Sequence, residues 1–92
     1  MTMNLISNIF GGKKNISQSA ETVSNPLVSM HLLEARQSFK NGDYQQALGH
    51  CQEALNLDSM NAEAYRIRGV SKYQLKDSTG AAEDFQYSLK FS

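Results

Sequence analysis

The stretch Asn41-Gly42-Asp43-Tyr44-Gln45-Gln46-Ala47-Leu48 is followed 34 residues later by Leu75-Lys76-Asp77-Ser78-Thr79-Gly80-Ala81-Ala82. The same offset continues on both sides, and it relates Asp43 to Asp77, Ala47 to Ala81, Gln52 to Gln86, Leu55 to Leu89 and Phe39 to Tyr73. A period of this length is typical of helix-turn-helix units that stack because one unit alone cannot bury its apolar faces. The sequence therefore predicts an all-α fold of two stacked hairpins.

The composition agrees with one small globular domain. The chain has 92 residues, of which 40% are apolar and 20% charged, and these fractions are ordinary for a folded domain. The formal net charge is zero, so the basic field that nucleic-acid binding requires is missing and no nucleic-acid partner is expected. The single cysteine, Cys51, lies in an apolar helical pattern, which indicates a buried thiol and a reducing cytoplasm.

Residues 1–25 differ from the rest of the chain. Residues 1–10 are largely apolar, but Asn4, Ser7 and Asn8 interrupt them and no basic residue precedes them, so we expect no signal peptide. Residues 11–24 read as a flexible linker. As a helix, residues 1–10 would be amphipathic and would need a surface to cover. Three surfaces satisfy that need: the groove of the same domain, a partner protein, or a membrane interface facing Lys13 and Lys14.

Four helices are expected in the folded part, residues 26–92. The first runs from Pro26 to Asn41, is capped by Asn25 and stops at Gly42. The second covers residues 44–57 behind Asp43. The third covers residues 62–75 behind Asn61, and the fourth follows a cap at Ser78 or Thr79. Apolar residues recur in them at three- and four-residue spacings, as in Ala47, Leu48, Cys51, Ala54 and Leu55 of the second helix.

The second unit, residues 62–92, resembles a tetratricopeptide repeat. Tyr65 stands at the family's large aromatic position, Gly69 at the small residue that lets the paired helix approach, Ala81 at the alanine that opens the second helix, and Phe85 at the aromatic that fills the seam. The resemblance continues through residues 28–61, most clearly in residues 39–48 and 54–58. It implies two stacked repeats in a short right-handed α-solenoid.

The first unit departs from the family pattern at several positions. His31 occupies the large aromatic position, Glu34 an aliphatic position, and Ser38 a further packing position, while Ser59 stands where the family often has proline. The packing of the first helix is therefore expected to be looser than that of the third.

The resemblance also implies a concave groove that binds protein partners and is formed by the first helix of each unit. In this chain the groove would carry Leu32, Arg36, Phe39, Arg66, Val70 and Tyr73, and the spacing within each set independently places it on one helical face. The alternative, that Leu32, Phe39 and Tyr73 complete the core, stays open. The two arginines favour an acidic peptide, because a guanidinium can fork onto a carboxylate.

Chaperone-binding members of the family clamp a terminal carboxylate with Lys and Asn residues. The matching positions here hold Leu32, Arg36 and Ile67, so we expect no such clamp.

No catalytic, cofactor or metal site is expected. His31 and His50 have no ligand partner at metal-binding spacing, and Cys51 points to a different helical face from its neighbour His50. Residues 11–14 lack the strand and the spacing of a phosphate loop. Arg68 is expected to pair with Asp84, Glu34 or both across the helix seams.

These observations predict a non-catalytic cytoplasmic adaptor, scaffold or small assembly subunit that binds a protein or peptide through the groove. The alternative is a peripheral membrane tether that uses residues 1–14. Two units are fewer than such arrays normally need, and the outer face of the fourth helix, with Tyr87 and Phe91, has no following helix. A homodimer, a partner subunit or the folded-back N-terminal segment is expected to cover it.

Overall fold

The computed structural model describes residues 25–92, which fold into four α-helices without a strand. They are α1 (Pro26–Lys40), α2 (Tyr44–Leu57), α3 (Ala62–Gln74) and α4 (Ser78–Phe91). The expected all-α fold is confirmed. The first and third helices end one residue earlier than predicted, because Asn41 and Leu75 serve as their C-caps. The predictions for residues 1–24 lie outside the described residues.

The helix starts are fixed by side-chain caps. The predicted caps Asn25, Asp43 and Asn61 each accept a hydrogen bond from a backbone N–H in the first turn of the helix that follows. The expected cap of α4 at Ser78 or Thr79 was wrong. Asp77 takes that role by accepting from the N–H of Gly80 at 2.9 Å, because its carboxylate reaches the N–H three residues on, as Asp43 does in α2, and favours the positive end of the helix dipole.

Adjacent helices pack closely along the chain, α1 on α2, α2 on α3 and α3 on α4, with a lighter contact between α1 and α3. The main apolar core is shared by the first three helices, with Tyr65 packed against its edge. Its buried members are Val28, Leu32, Ala35, Cys51, Ala54, Leu55, Ala64 and Ile67.

The second hairpin, α3 with α4, has its own close approach at Gly69. A Cβ at this position would lie 2.7 Å from Cε1 of Phe85 and 3.3 Å from the carbonyl oxygen of Ala81. The expectation that Gly69 lets the paired helix approach is therefore confirmed, since any larger residue would have to displace the Phe85 ring. Among residues 25–92 no helix has the length and apolar character needed to span a membrane.

Candidate partner-binding groove

A pocket of about 360 Å³ opens between α1 and α3. Its lining comes from the two helices in equal share: Arg36, Phe39 and Lys40 from α1, and Arg66, Ile67 and Val70 from α3. Three of these side chains are apolar and three are cationic. This combination of an apolar pocket with a few charged groups around it is typical of a binding site.

Four of the six residues predicted for the groove line this pocket: Arg36, Phe39, Arg66 and Val70. Leu32 lies in the core with 7% of its surface exposed, which favours the core role that the sequence left open for it. Tyr73 is 61% exposed and is not part of the lining. The pocket thus lies nearer the middle of α3 than the predicted set.

Sequence reasoning missed Lys40 and Ile67 as lining residues. Lys40 lies one helical turn after Arg36, so the spacing rule that selected Arg36 and Phe39 would also have found it. Ile67 was named at a position matching the carboxylate clamp and not as a lining residue, and its side chain is almost fully buried. It belongs both to the core and to the pocket lining, because one side of a core residue can form the floor of a surface pocket.

Glu63, in the first turn of α3, partly neutralises the two arginines that line the pocket. Nη1 of Arg36 donates to its carboxylate, and Nη2 of Arg66 lies 3.9 Å from the same oxygen. One carboxylate is therefore shared by two guanidinium groups. Lys40 has no salt-bridge partner within residues 25–92, so the pocket and its immediate surroundings carry a positive excess.

Phe39 is held in place from outside the pocket. Its ring meets Tyr44 of α2 edge to face, with the ring centroids 5.2 Å apart, an arrangement that aromatic pairs prefer. Gly42 makes the intervening turn with a φ of +80°. The turn that ends α1 therefore also sets one wall of the pocket.

Arg68 and Asp84 form the charge pair expected across the second hairpin. Nε and Nη2 of Arg68 donate to the two carboxylate oxygens of Asp84 at 3.0 and 2.8 Å, and Nζ of Lys72 lies 3.1 Å from the same group. This hydrogen bonding raises the pKa of the Arg68 guanidinium above its ordinary value. Nη1 of Arg68 also donates to Oε1 of Gln52 at 2.8 Å, which ties α3 and α4 to α2.

Comparison with known proteins gives two relatives. No family model matches the chain. A DnaJ protein P58IPK homolog from Arabidopsis thaliana is 34% identical over 80 residues, 87% of this chain and 16% of the relative. Tetratricopeptide repeat protein 36 from Danio rerio is 33% identical over 60 residues, 65% of this chain and 32% of the relative. The matches support a tetratricopeptide-like family. The chain thus spans a third or less of the relatives it matches.

In the first hairpin, α1 with α2, His31 and Glu34 depart from the tetratricopeptide pattern. Both residues contact His50 of α2 in place of the aromatic and aliphatic packing that the pattern predicts. The Nδ1 atoms of His31 and His50 lie 3.3 Å apart, and Nε2 of His50 lies 4.0 Å from Oε1 of Glu34. Glu34 therefore faces His50 and not Arg68, so Asp84 is the one of the two predicted carboxylates that pairs with Arg68. Within residues 25–92, no group of three or more His, Cys, Asp and Glu side chains is placed to hold a metal ion.

The 34-residue offset could have revealed the histidine contact. Adding it to Glu34 and His50 gives Arg68 and Asp84, so a charge pair predicted in the second tetratricopeptide-like unit implies a contact between the equivalent residues of the first. His31 stands in the place of Tyr65 and reaches the same seam.

Cys51 is fully buried in the core, as expected. Burial, the largest cause, raises the pKa of its thiol from 9.0 to about 12. Since the thiolate is the reactive form of cysteine, the Cys51 side chain stays protonated at neutral pH and acts as a small apolar group.

Proposed function

We propose that this chain is a non-catalytic protein-interaction module that binds an acidic peptide or helix in the pocket between α1 and α3. Its likeness to tetratricopeptide proteins supports a protein partner in general. The observation that carries the finer proposal is the positive excess around an apolar pocket: Arg36, Lys40 and Arg66 surround Phe39 and Val70, and Glu63 offsets only part of that charge.

An apolar side chain of the partner would enter between Phe39, Ile67 and Val70, while a neighbouring carboxylate engages the cations. Glu63 acts as the internal competitor of that carboxylate. Its contacts with Arg36 and Arg66 are solvent-exposed, and exposed salt bridges contribute only about 0–1 kcal/mol. A partner carboxylate that binds a guanidinium through both oxygens can therefore replace Glu63 at small cost.

The test is selection of peptides from a random displayed library on the intact chain, followed by affinity measurement with fluorescence anisotropy. We expect the selected peptides to combine Asp or Glu with a large apolar residue. The Arg36→Glu, Arg66→Glu double variant should bind them at least about tenfold more weakly, which corresponds to 1.4 kcal/mol or more.

The matched control is a Lys76→Glu, Lys90→Glu double variant, which changes the net charge by the same amount at residues outside the pocket lining. Its affinity should stay close to that of the unaltered chain. Equal losses in the two double variants would mean that net charge alone attracts the peptides, and no loss in either would remove the peptide site from this pocket.

A peripheral membrane tether is the alternative function, and it depends on the apolar residues 1–10 and on Lys13 and Lys14. Sedimentation with liposomes that contain anionic lipids separates the two proposals. Binding that falls when Leu5 and Ile6 are both changed to Asp would support the tether, whereas equal sedimentation of variant and unaltered chain would exclude it. We place the protein in the cytoplasm, because a single buried thiol fits a reducing compartment.

A further inference from the structure

The two ends of the helix array expose apolar side chains. On α1 the exposed set consists of Leu27, Met30 and Leu33, which we call the α1 end face. On α4 the exposed residue is Leu89, and we call the surface around it the α4 end face. Clusters of large apolar residues on a small protein commonly mark interaction surfaces.

The packing interface between α2 and α3, which we call the internal joint, shows how such faces fit together. Leu55 of α2 and Ile67 of α3 belong to one buried cluster and are 7% and 3% exposed. The residues 34 positions away are Leu89, which is 78% exposed, and Leu33, which is 58% exposed. The same types of side chain at equivalent positions are thus buried inside the molecule and open at its ends. At Leu89 the α4 end face repeats the surface that α2 offers, and at Met30 and Leu33 the α1 end face repeats the surface that α3 offers.

We propose that a second copy of this chain is the partner of these faces. The α1 end face of one copy packs on the α4 end face of the next and repeats the α2–α3 joint between molecules. The two faces of such a contact differ, so the association is head-to-tail and does not close after two copies. Continuity with the internal joint is the ground for choosing a second copy as the occupant.

The polar contact of the internal joint also has its counterpart between copies. Inside the molecule, Arg68 donates to Oε1 of Gln52 at 2.8 Å. The equivalent residues are Glu34 and Gln86. A glutamine amide both accepts and donates, so Gln86 of one copy can donate to the Glu34 carboxylate of the next. The hydrogen bond is kept with its direction reversed.

The contact between copies is less closely fitted than the internal joint. Met30 replaces Ala64, and Ser88 replaces Ala54. The longer methionine is flexible enough to fill an irregular gap, but a polar serine at the centre reduces the apolar area that is buried. We therefore expect a weak association that is observed at high protein concentration.

Sedimentation velocity of the full chain over a concentration series tests the proposal. The average mass of the unaltered chain should rise with concentration. Leu33→Glu destroys the α1 end face and Leu89→Glu the α4 end face, so each variant alone should stay monomeric. Mixing these two variants should give dimers, because each retains the face that the other lacks. Met60→Glu, an exposed apolar residue of the α2–α3 loop, is the control and should associate like the unaltered chain.

A monomer at every concentration up to about 1 mM, the weak limit of useful affinity, would overturn the proposal, whether or not residues 1–24 cover the α1 end face. So would association of the unaltered chain without dimers in the mixture, since a symmetric dimer cannot be rebuilt from two different damaged faces. Leu33→Gln and Leu89→Gln repeat the test with milder changes. Failure would leave the peptide proposal intact, because neither residue lines the pocket.

The Gln86 contact gives an independent check on the register. Gln86→Glu places a second carboxylate opposite Glu34 and should weaken the association by about tenfold, because like charges across an interface repel. Adding Glu34→Gln to the same chain should restore it. An unchanged association in Gln86→Glu would overturn the proposed register.

Discussion

The two hairpins have the same helix arrangement but different polar side chains between their paired helices. In the second hairpin, Arg68 donates two hydrogen bonds to Asp84, which is only 2% exposed, and Lys72 forms a second salt bridge with the same carboxylate. In the first hairpin, the equivalent residues are Glu34 and His50. Oε1 of Glu34 lies 4.0 Å from Nε2 of His50, and the Glu34 carboxylate is largely exposed. The backbone arrangement is kept in both, so the seam charges do not determine it.

The features that the hairpins share account for the common backbone. Ala47 and Ala81 are both buried where the second helix of each hairpin begins. Asp43 and Asp77 both cap that helix through the N–H three residues later. Small residues and caps fix where the helices start and how near they come, and the seam residues then adapt to the space that is left.

The comparison predicts its largest difference at the seam. Asp84→Ala should lower the free energy of unfolding by about 3 kcal/mol, because Arg68 and Lys72 would remain partly buried without their carboxylate. His50→Ala removes a ring that is one-quarter exposed and has no short ion pair, and it should cost about 1 kcal/mol. Urea denaturation followed by circular dichroism measures both values.

The control for this pair is the double variant Arg68→Met, Asp84→Leu, which replaces the charge pair by apolar side chains. Apolar replacements of buried ion pairs are often neutral or stabilising, so this variant should recover most of the stability lost in Asp84→Ala. If Asp84→Ala costs no more than His50→Ala, the seam charges of the two hairpins are equivalent in energy and the contrast drawn here is wrong.

A second difference concerns the closest helix approach. Gly69 faces Phe85, whereas the equivalent position in the first hairpin holds Ala35 and the residue equivalent to Phe85 is Cys51. Gly69→Ala gains about 1 kcal/mol of helix propensity but forces the Phe85 ring to move, and overpacking costs about 1–3 kcal/mol. We expect a net loss of about 1 kcal/mol in the free energy of unfolding, measured by urea denaturation.

The matched control introduces cysteine, the residue at position 51 of the first hairpin, at the equivalent position 85 of the second hairpin. In a Phe85→Cys background the added methyl group no longer meets a ring, so Gly69→Ala should become stabilising by about 1 kcal/mol through helix propensity alone. A loss of the same size in both backgrounds would show that Phe85 is not what excludes a side chain at position 69.

Most of the fold could be predicted from the sequence. The repeat period indicated stacked hairpins, apolar spacing gave the four helices, and residue type gave three of their four caps. The Arg68–Asp84 pair followed from the position of the two residues on the paired helices of one hairpin. The cap of α4 was missed because serine and threonine resemble good caps in isolation, and only the comparison of Asp77 with Asp43 separates them. Four of the six residues predicted for the groove lie together at the pocket for the same reason of spacing.

The residues that the sequence placed wrongly or did not connect depend on how the helices pack against one another. Leu32 is at a groove position by spacing, yet α2 and α3 enclose it in the core. Tyr73 shares a helical face with Val70 but lies beyond the pocket. The contact between His31 and His50 joins α1 and α2, and it becomes visible in the sequence only when Glu34 and His50 are compared with Arg68 and Asp84, 34 residues later.

The smallest expected effects concern the turn inside each hairpin. Gly42 and Lys76 are equivalent residues, and both adopt positive φ angles, of +80° and +72°. Glycine adopts this conformation without strain, whereas other residues pay about 1–2 kcal/mol. Gly42→Ala should therefore lower the free energy of unfolding by about 1 kcal/mol, although a Cβ there would meet no atom within 4 Å. Lys76→Gly should raise it by about 0.5 kcal/mol, because the relief of this strain exceeds the additional conformational entropy that glycine loses on folding. Thermal denaturation of both variants measures these changes.

Lys76→Ala is the control, since it removes the charge and keeps the strain, and it should leave the stability nearly unchanged. A gain in Lys76→Ala equal to that in Lys76→Gly would assign the effect to the lysine side chain, and the two turns would then differ in charge and not in backbone strain.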